Sequence, residues 1–165
     1  MMERRTYWHL EHLRRVPSEY DIGTAKLLYY DPARGFEVPT PAGEWQRRIQ
    51  RASEFRVDDW EPFRDPRETT YASYVELQKR KEAFVEGLSR SMEAADYDRG
   101  LSAQWIGRLD ALLPVLRFPC HALQMSAAFL GQTAPVSSVV IGCLFQVGDE
   151  IRRVERIAYR MRELQ

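Results

Sequence analysis

The chain has 165 residues, with 24 basic and 24 acidic side chains and no net charge at neutral pH. That is one domain's worth of polypeptide, long enough to bury a core. The balanced charge excludes the basic footprint of a nucleic-acid binder, and no apolar run nears the roughly 20 residues that span a bilayer.

The first 65 residues read as an arm. Six of the nine prolines (Pro17, Pro32, Pro39, Pro41, Pro62 and Pro66) fall within the first 66 residues. The same stretch holds Trp8, Tyr20, Tyr29, Tyr30, Phe36, Trp45, Phe55, Trp60 and Phe63. Its opening, MMERRTYWHLEHLRR, is too charged for a signal peptide. A short helix over 43–51 (GEWQRRIQR) is the one periodic segment. Disordered segments are poor in aromatics, whereas docking surfaces are rich in them. The expectation is an arm, 1–65, that lies along a partner or along the chain's own helices. Tyr20, Tyr29, Tyr30, Trp45, Trp60 and Phe63 are the candidate contacts.

A helical domain is expected over 66–165. Asp65, Pro66 and Glu68 in DPRE form a helix-start pattern: a cap, a first-turn proline and a capping-box carboxylate. An apolar stripe then runs through Tyr71, Tyr74, Val75, Gln78, Val85, Leu88 and Met92, and DYDRG at 96–100 ends it. The second stripe is Leu101, Trp105, Leu109, Leu112, Leu116, Cys120, Leu123, Ala127 and Leu130. Pro114 and Pro119 should kink this helix. GQTAP at 131–135 is a stop and a start, with Pro135 opening a third helix striped by Val140, Leu144, Val147, Ile151, Val154, Ala158 and Met161. The architecture expected is all-α: about three long antiparallel helices behind the arm. Three such helices form an incomplete bundle whose open side must pack on something, and a partner chain is the natural candidate.

The last helix poses the chemical question. Glu150 and Arg153 stand three apart, the spacing at which glutamate and histidine project together to bind iron in carboxylate di-iron proteins. Arginine carries a permanent charge and no lone pair, so it cannot ligate. An Arg–Glu pair steadying an exposed helix edge is the plain account, worth a few tenths of a kcal/mol. His9 and His12 have no second cluster to join, and Cys120 beside His121 lacks the two further ligands of a zinc site. Cys120 and Cys143 sit in apolar pattern, the setting of buried thiols in a reducing cytoplasm. No nucleophile elbow or phosphate loop is present in the sequence.

Several stretches together resemble one family. They are PSEYDIGTAKLLYY (17–30), WEPFRDP (60–66), TTYASYVELQ (69–78), LRFPCHALQMSAAFLGQTAPVSS (116–138) and DEIRRVERIAYRMREL (149–164). In this order they are similar to the hydroxylase beta subunit of bacterial multicomponent monooxygenases, in the toluene/phenol/alkene branch. The resemblance implies a ferritin-like helical fold with an N-terminal arm lying against a catalytic alpha subunit. The alpha subunit would carry the di-iron centre that activates O2, and this chain would bind no cofactor. Glu150 and Arg153 would then be a degenerate half-site, with arginine where histidine would be. Beta subunits of the family run on for about as long again, so the chain corresponds to the N-terminal half or to a shortened form.

The reading is therefore a non-catalytic beta-type subunit of an O2-dependent hydrocarbon monooxygenase, cytoplasmic, with no membrane or nucleic-acid partner. Its expected partners are the alpha subunit, a gamma subunit, and a regulatory protein and a Rieske ferredoxin docking on the complex. Two other readings stand beside it: a free-standing helical interaction module, and a homo-oligomeric metal-dependent enzyme.

Overall fold

A computed structural model describes residues 7–25, 44–45, 48–49, 52, 54, 64–134 and 136–164, with the side chains of Trp8 and His9 left aside. Among the described residues every regular element is helical. A 3-10 turn at Trp8–Leu13 leads to α1 (Glu19–Thr24); the long helices are α2 (Tyr71–Ala94), α3 (Ala103–Thr133) and α4 (Ser137–Glu163), with a second 3-10 turn at Tyr97–Gly100. This is the all-α pattern of long helices that the ferritin-like resemblance implies. Glu44, Trp45, Arg48 and Ile49 have helical backbone, in line with the helix expected at 43–51, whose other residues lie outside the described ones. Among the described residues no helix is long and apolar enough to cross a membrane.

The chain forms two compact units. One gathers the described residues up to Thr70 with Phe129–Cys143, and the other gathers Tyr71–Ala128 with the residues from Leu144 onward.

The first unit is organised by α1. Ser18 caps this helix, its hydroxyl accepting from the Asp21 N–H at 3.2 Å while its own N–H donates to the Asp21 carboxylate at 2.8 Å. This reciprocal box satisfies two otherwise orphaned donors. Gly23 lets α1 approach Ile141, whose methyl lies 3.5 Å from where a β-carbon would stand, and the Ser137 hydroxyl donates to the Ala25 carbonyl. Gly131 and Cys143 come together likewise (3.2 Å from a built β-carbon), so α3 and α4 fold back on each other across a short turn.

In the second unit α2 and α4 lie side by side and run in the same direction. Tyr74 meets Asp149 and Glu82 meets Arg156, and Asp98 in the 3-10 turn after α2 meets Arg160, so partner numbers rise together. That is the relation of first and third helices when consecutive helices are antiparallel. The end of α2 is set by Asp96, in the left-handed region at φ 51°, and Ser102 caps α3 by accepting from the Trp105 N–H at 3.2 Å.

Two local expectations need correction. The DPRE pattern does not open a helix: α2 begins at Tyr71, and Asp65 instead accepts from the N–H groups of Arg67 and Thr69 in a turn. Glu68 follows at a left-handed φ of 46°, which a helix cannot continue. The helix α3 runs continuously through Pro114 and Pro119. Secondly, the apolar stripe read on α3 is largely outside: Trp105, Leu112, Leu116, Leu123 and Leu130 are exposed. The half-buried or buried side is Ile106, Leu109, Leu113, Arg117, Cys120, Gln124 and Ala127.

Candidate functional site: a buried carboxylate on the last helix

Glu150 lies in the middle of α4, two turns into the part of the helix that belongs to the second unit. It is 0% exposed, which overturns the expectation of an exposed helix edge. The Arg153 guanidinium donates to Glu150 Oε1 at 2.6 Å, and the Gln146 side-chain amide donates to the same oxygen. Glu150 Oε2 is buried with no hydrogen-bond partner, and so is Nε of Arg117 on α3. The two residues singled out from the sequence are therefore in direct contact.

One residue earlier, the same helix repeats the pattern with different surroundings. Asp149 Oδ1 accepts from the Tyr74 hydroxyl at 2.8 Å, from the Gln78 amide at 2.8 Å and from the Arg152 guanidinium at 2.5 Å. Tyr74 stacks on Phe145, with ring centroids 4.3 Å apart, and the Arg152 guanidinium lies over the tyrosine ring and also donates to its hydroxyl. Burial raises the Tyr74 hydroxyl pKa above its ordinary value, and the Asp149 carboxylate beside it acts in the same direction. A neutral phenol donating to an ionised carboxylate is the stable arrangement. Gly148 makes this possible: a β-carbon there would stand 2.9 Å from the Tyr74 oxygen.

Two arginine pairs continue the line toward the C-terminal end. Arg156 grips Glu82 and reaches Glu86, and Arg160 forms a two-point pair with Asp98 at 2.5 and 2.8 Å. The Arg160 guanidinium holds the Asp98 carboxyl below the usual carboxylate range.

Elsewhere, Tyr20 is drawn inward rather than presented on a surface. It is 6% exposed, its hydroxyl accepts from the Asp65 N–H at 2.8 Å, and Arg64 stacks over its ring. Asp21 next to it takes Arg15 at 2.5 and 3.0 Å and Arg64 at 3.0 Å, tying residues 15–21 to residue 64. Trp45 packs edge-on against Phe129, 6.4 Å between centroids. Tyr29, Tyr30, Trp60 and Phe63 lie outside the described residues, as does Pro135. His121 Nδ1 pairs with Gln124 on its own helix at 2.9 Å, and Cys120 and Cys143 are free thiols, Cys143 buried.

The donor set around Glu150 does not fit an iron ion. Its one hydrogen-bonded oxygen already accepts from the Arg153 guanidinium and the Gln146 N–H, and the guanidinium has no lone pair to give a metal and places a fixed positive charge beside the carboxylate. Asp149 is committed to three donors. Among the described residues no group of three or more His, Cys, Asp or Glu side chains is placed to hold a metal ion.

An all-α chain of long helices, with a buried glutamate held by an arginine three residues on, is the class that fold and site define. Residues 41–165 match the Methane/Phenol/Alkene Hydroxylase family, and the chain belongs to that family. It is 33% identical over 164 residues to the beta subunit of the hydroxylase component of the toluene-4-monooxygenase system of Ectopseudomonas mendocina. That match covers 97% of this chain and 50% of the relative, so the chain spans about half the length of the relative.

Proposed function

We propose that this chain serves as the beta-type, non-catalytic subunit of an O2-dependent di-iron hydrocarbon monooxygenase, or as the N-terminal half of such a subunit. The observation that carries the reading is the state of Glu150. Glu150 and Arg153 stand at Glu-x-x-His spacing, and an arginine clamps the glutamate where a ligand histidine would be needed, which supports reading the pair as a degenerate half-site. When bound in a partner alpha subunit, a di-iron centre supplies O2 activation. This chain's residues instead hold helices α2 and α4 in register through Asp149, Arg152 and Arg156, with Arg160 tying α4 to the turn after α2. The relative's place in a hydroxylase component supports partner subunits for this chain too. In this reading the partners are a catalytic alpha and a gamma subunit, with a regulatory protein and a Rieske ferredoxin docking on the complex. The arm's aromatics Tyr29, Tyr30, Trp45, Trp60 and Phe63 supply contacts to alpha, while Tyr20 fixes the arm's base.

The test is elemental analysis of the purified chain and of its co-expressed complex with the cognate alpha subunit. Iron is expected with alpha only. About one iron per copy of this chain alone, lost on Glu150→Ala, would overturn the non-catalytic reading in favour of a metal-dependent enzyme.

A further inference from the structure

The two ends of α2 are held to the rest of the second unit in different ways. The first turns are anchored by burial: Tyr74 and Gln78 are 8% and 9% exposed, Tyr74 stacks on Phe145, and both side chains donate to Asp149. Beyond Gln78 the burial stops. From Lys79 to Gly100 every residue is exposed except Glu82, which is half-buried. Phe84, Val85, Leu88, Met92 and Tyr97, the large apolar side chains of this stretch, are between 41% and 68% exposed. Little apolar area leaves water here, so the hydrophobic effect holds this part of the helix weakly.

Charge joins it to α4 instead. Arg156 donates to Glu82 through Nε at 3.1 Å and through a second nitrogen, and reaches Glu86 at 3.4 Å. Arg160 takes Asp98, in the 3-10 turn that follows α2, at 2.5 and 2.8 Å. The Arg90–Glu86 and Arg99–Asp96 pairs close within the stretch itself and tie it to nothing else. Arg156, Glu82, Arg160 and Asp98 all remain open to water, which makes such pairs weak and sensitive to salt. The helix lends little stiffness of its own. Gly87 stands in the middle of the stretch with open space where a side chain would be, so no close approach accounts for it, and glycine favours a helix less than any residue but proline. Between this stretch and α4 lies a cleft of about 670 Å³, lined in part by Glu82, Val85, Ser89, Arg156, Tyr159 and Arg160.

We propose that residues 79–100 form a strap latched by charge. Arg156 and Arg160 are the latch, and the buried Tyr74–Gln78 anchor is the fixed end on which the strap opens. Opening widens the cleft between α2 and α4 while the rest of the unit stays folded. A segment of this length freed from its support is marginal as a helix in water, so the open strap frays. The cleft therefore answers to charge: anything that competes for the two arginines releases it. This inference stands on the second unit alone and does not depend on the subunit reading.

The test is residue-resolved amide hydrogen exchange by NMR on the full chain, at roughly 0.05 M and roughly 1 M sodium chloride, where screening lengths differ severalfold. Exchange from Glu82 to Ala94 should quicken by about fivefold or more in high salt, while Val75–Gln78 and α4 stay unchanged. Arg156→Gln with Arg160→Gln should give the fast exchange already in low salt and remove the further response to salt. Arg80→Gln, the same loss of charge at an exposed residue of α2, should behave as wild type. Should the double variant fail to fold by circular dichroism, the wild-type salt series decides alone. Exchange in the strap that salt does not move, or that quickens only together with Val75–Gln78 and α4, overturns the latch.

Discussion

Arg153→Ala tests whether the Glu150 pair is a surface ornament or a buried structural device. The carboxylate is 0% exposed and has donors at only one oxygen, Arg153 and Gln146, with Oε2 already unpartnered. Removing the arginine leaves a buried charge facing one neutral amide. Breaking a fully buried pair in this way costs about 3–5 kcal/mol. The Arg153 side chain is 58% exposed, so water already screens part of the attraction, and the expected loss comes down to about 2–3 kcal/mol. Glu150→Gln in the Arg153→Ala background removes the stranded charge while keeping the shape, and should return most of that loss. Urea denaturation followed by far-ultraviolet circular dichroism on the four members of the cycle measures it. The reasoning is refuted if Arg153→Ala costs less than about 0.5 kcal/mol, the range of an exposed i, i+3 pair.

Gly148→Ala should destabilise by about 1–2 kcal/mol even though alanine is the better helix former by about 1 kcal/mol, because the added methyl displaces the Tyr74 hydroxyl from Asp149. In a Tyr74→Phe background the same change should turn stabilising, and stabilisation in the wild-type background would contradict the close approach. Asp21 sets an acid dependence: the Arg15 guanidinium, with Ser18 and Arg64, holds its carboxyl well below the ordinary 3.8. A depressed carboxyl contributes stability that is full above the unfolded value and disappears as pH falls below it toward the folded one. The gap in urea midpoint between the wild type and Asp21→Asn should therefore be wide at about pH 6 and narrow progressively below about pH 4. A gap that does not change with pH would show that Asp21 acts through shape alone.

The long helices were legible because α2 and α4 each carry a one-sided apolar period, and their ends are marked by Asp96 and the GQTAP turn. The facing of α3 was not, for a physical reason. Its residues from Ala111 on are apolar nearly all the way round, so periodicity marks a helix without selecting its buried side. The leucine stripe is largely exposed, and the side that turns inward carries Arg117 and Gln124. Glu150 was singled out by spacing, but the same Glu-x-x-Arg pattern serves equally on a surface, so its burial is a tertiary fact. The Asp149–Tyr74–Arg152 cluster was missed, although one signal existed: Gly148 inside an otherwise strong helix pattern marks a close approach by another element. The Asp21–Arg64 tie spans 43 residues, a distance over which no local pattern reports.

The two acid–arginine pairs of α4 also bear on what separates this chain from an iron binder. Asp149–Arg152 and Glu150–Arg153 are successive pairs at the same spacing, about 100° apart on the helix. One holds the tyrosine of α2, and the other holds a carboxylate that is wholly buried. Changing Arg153 to histidine would restore a Glu-x-x-His pattern on paper. The histidine would then share Glu150 with Gln146, whose amide already occupies the hydrogen-bonded oxygen. The adjacent Asp149 would remain tied to Tyr74, Gln78 and Arg152. Releasing it for a metal would break the stack that joins α2 to α4. Asp149 Oδ1 fastens α2 to α4, and Glu150 Oε1 is held within α4 by Arg153 and Gln146, so on this helix the bonds a ligand role would have to break are already made.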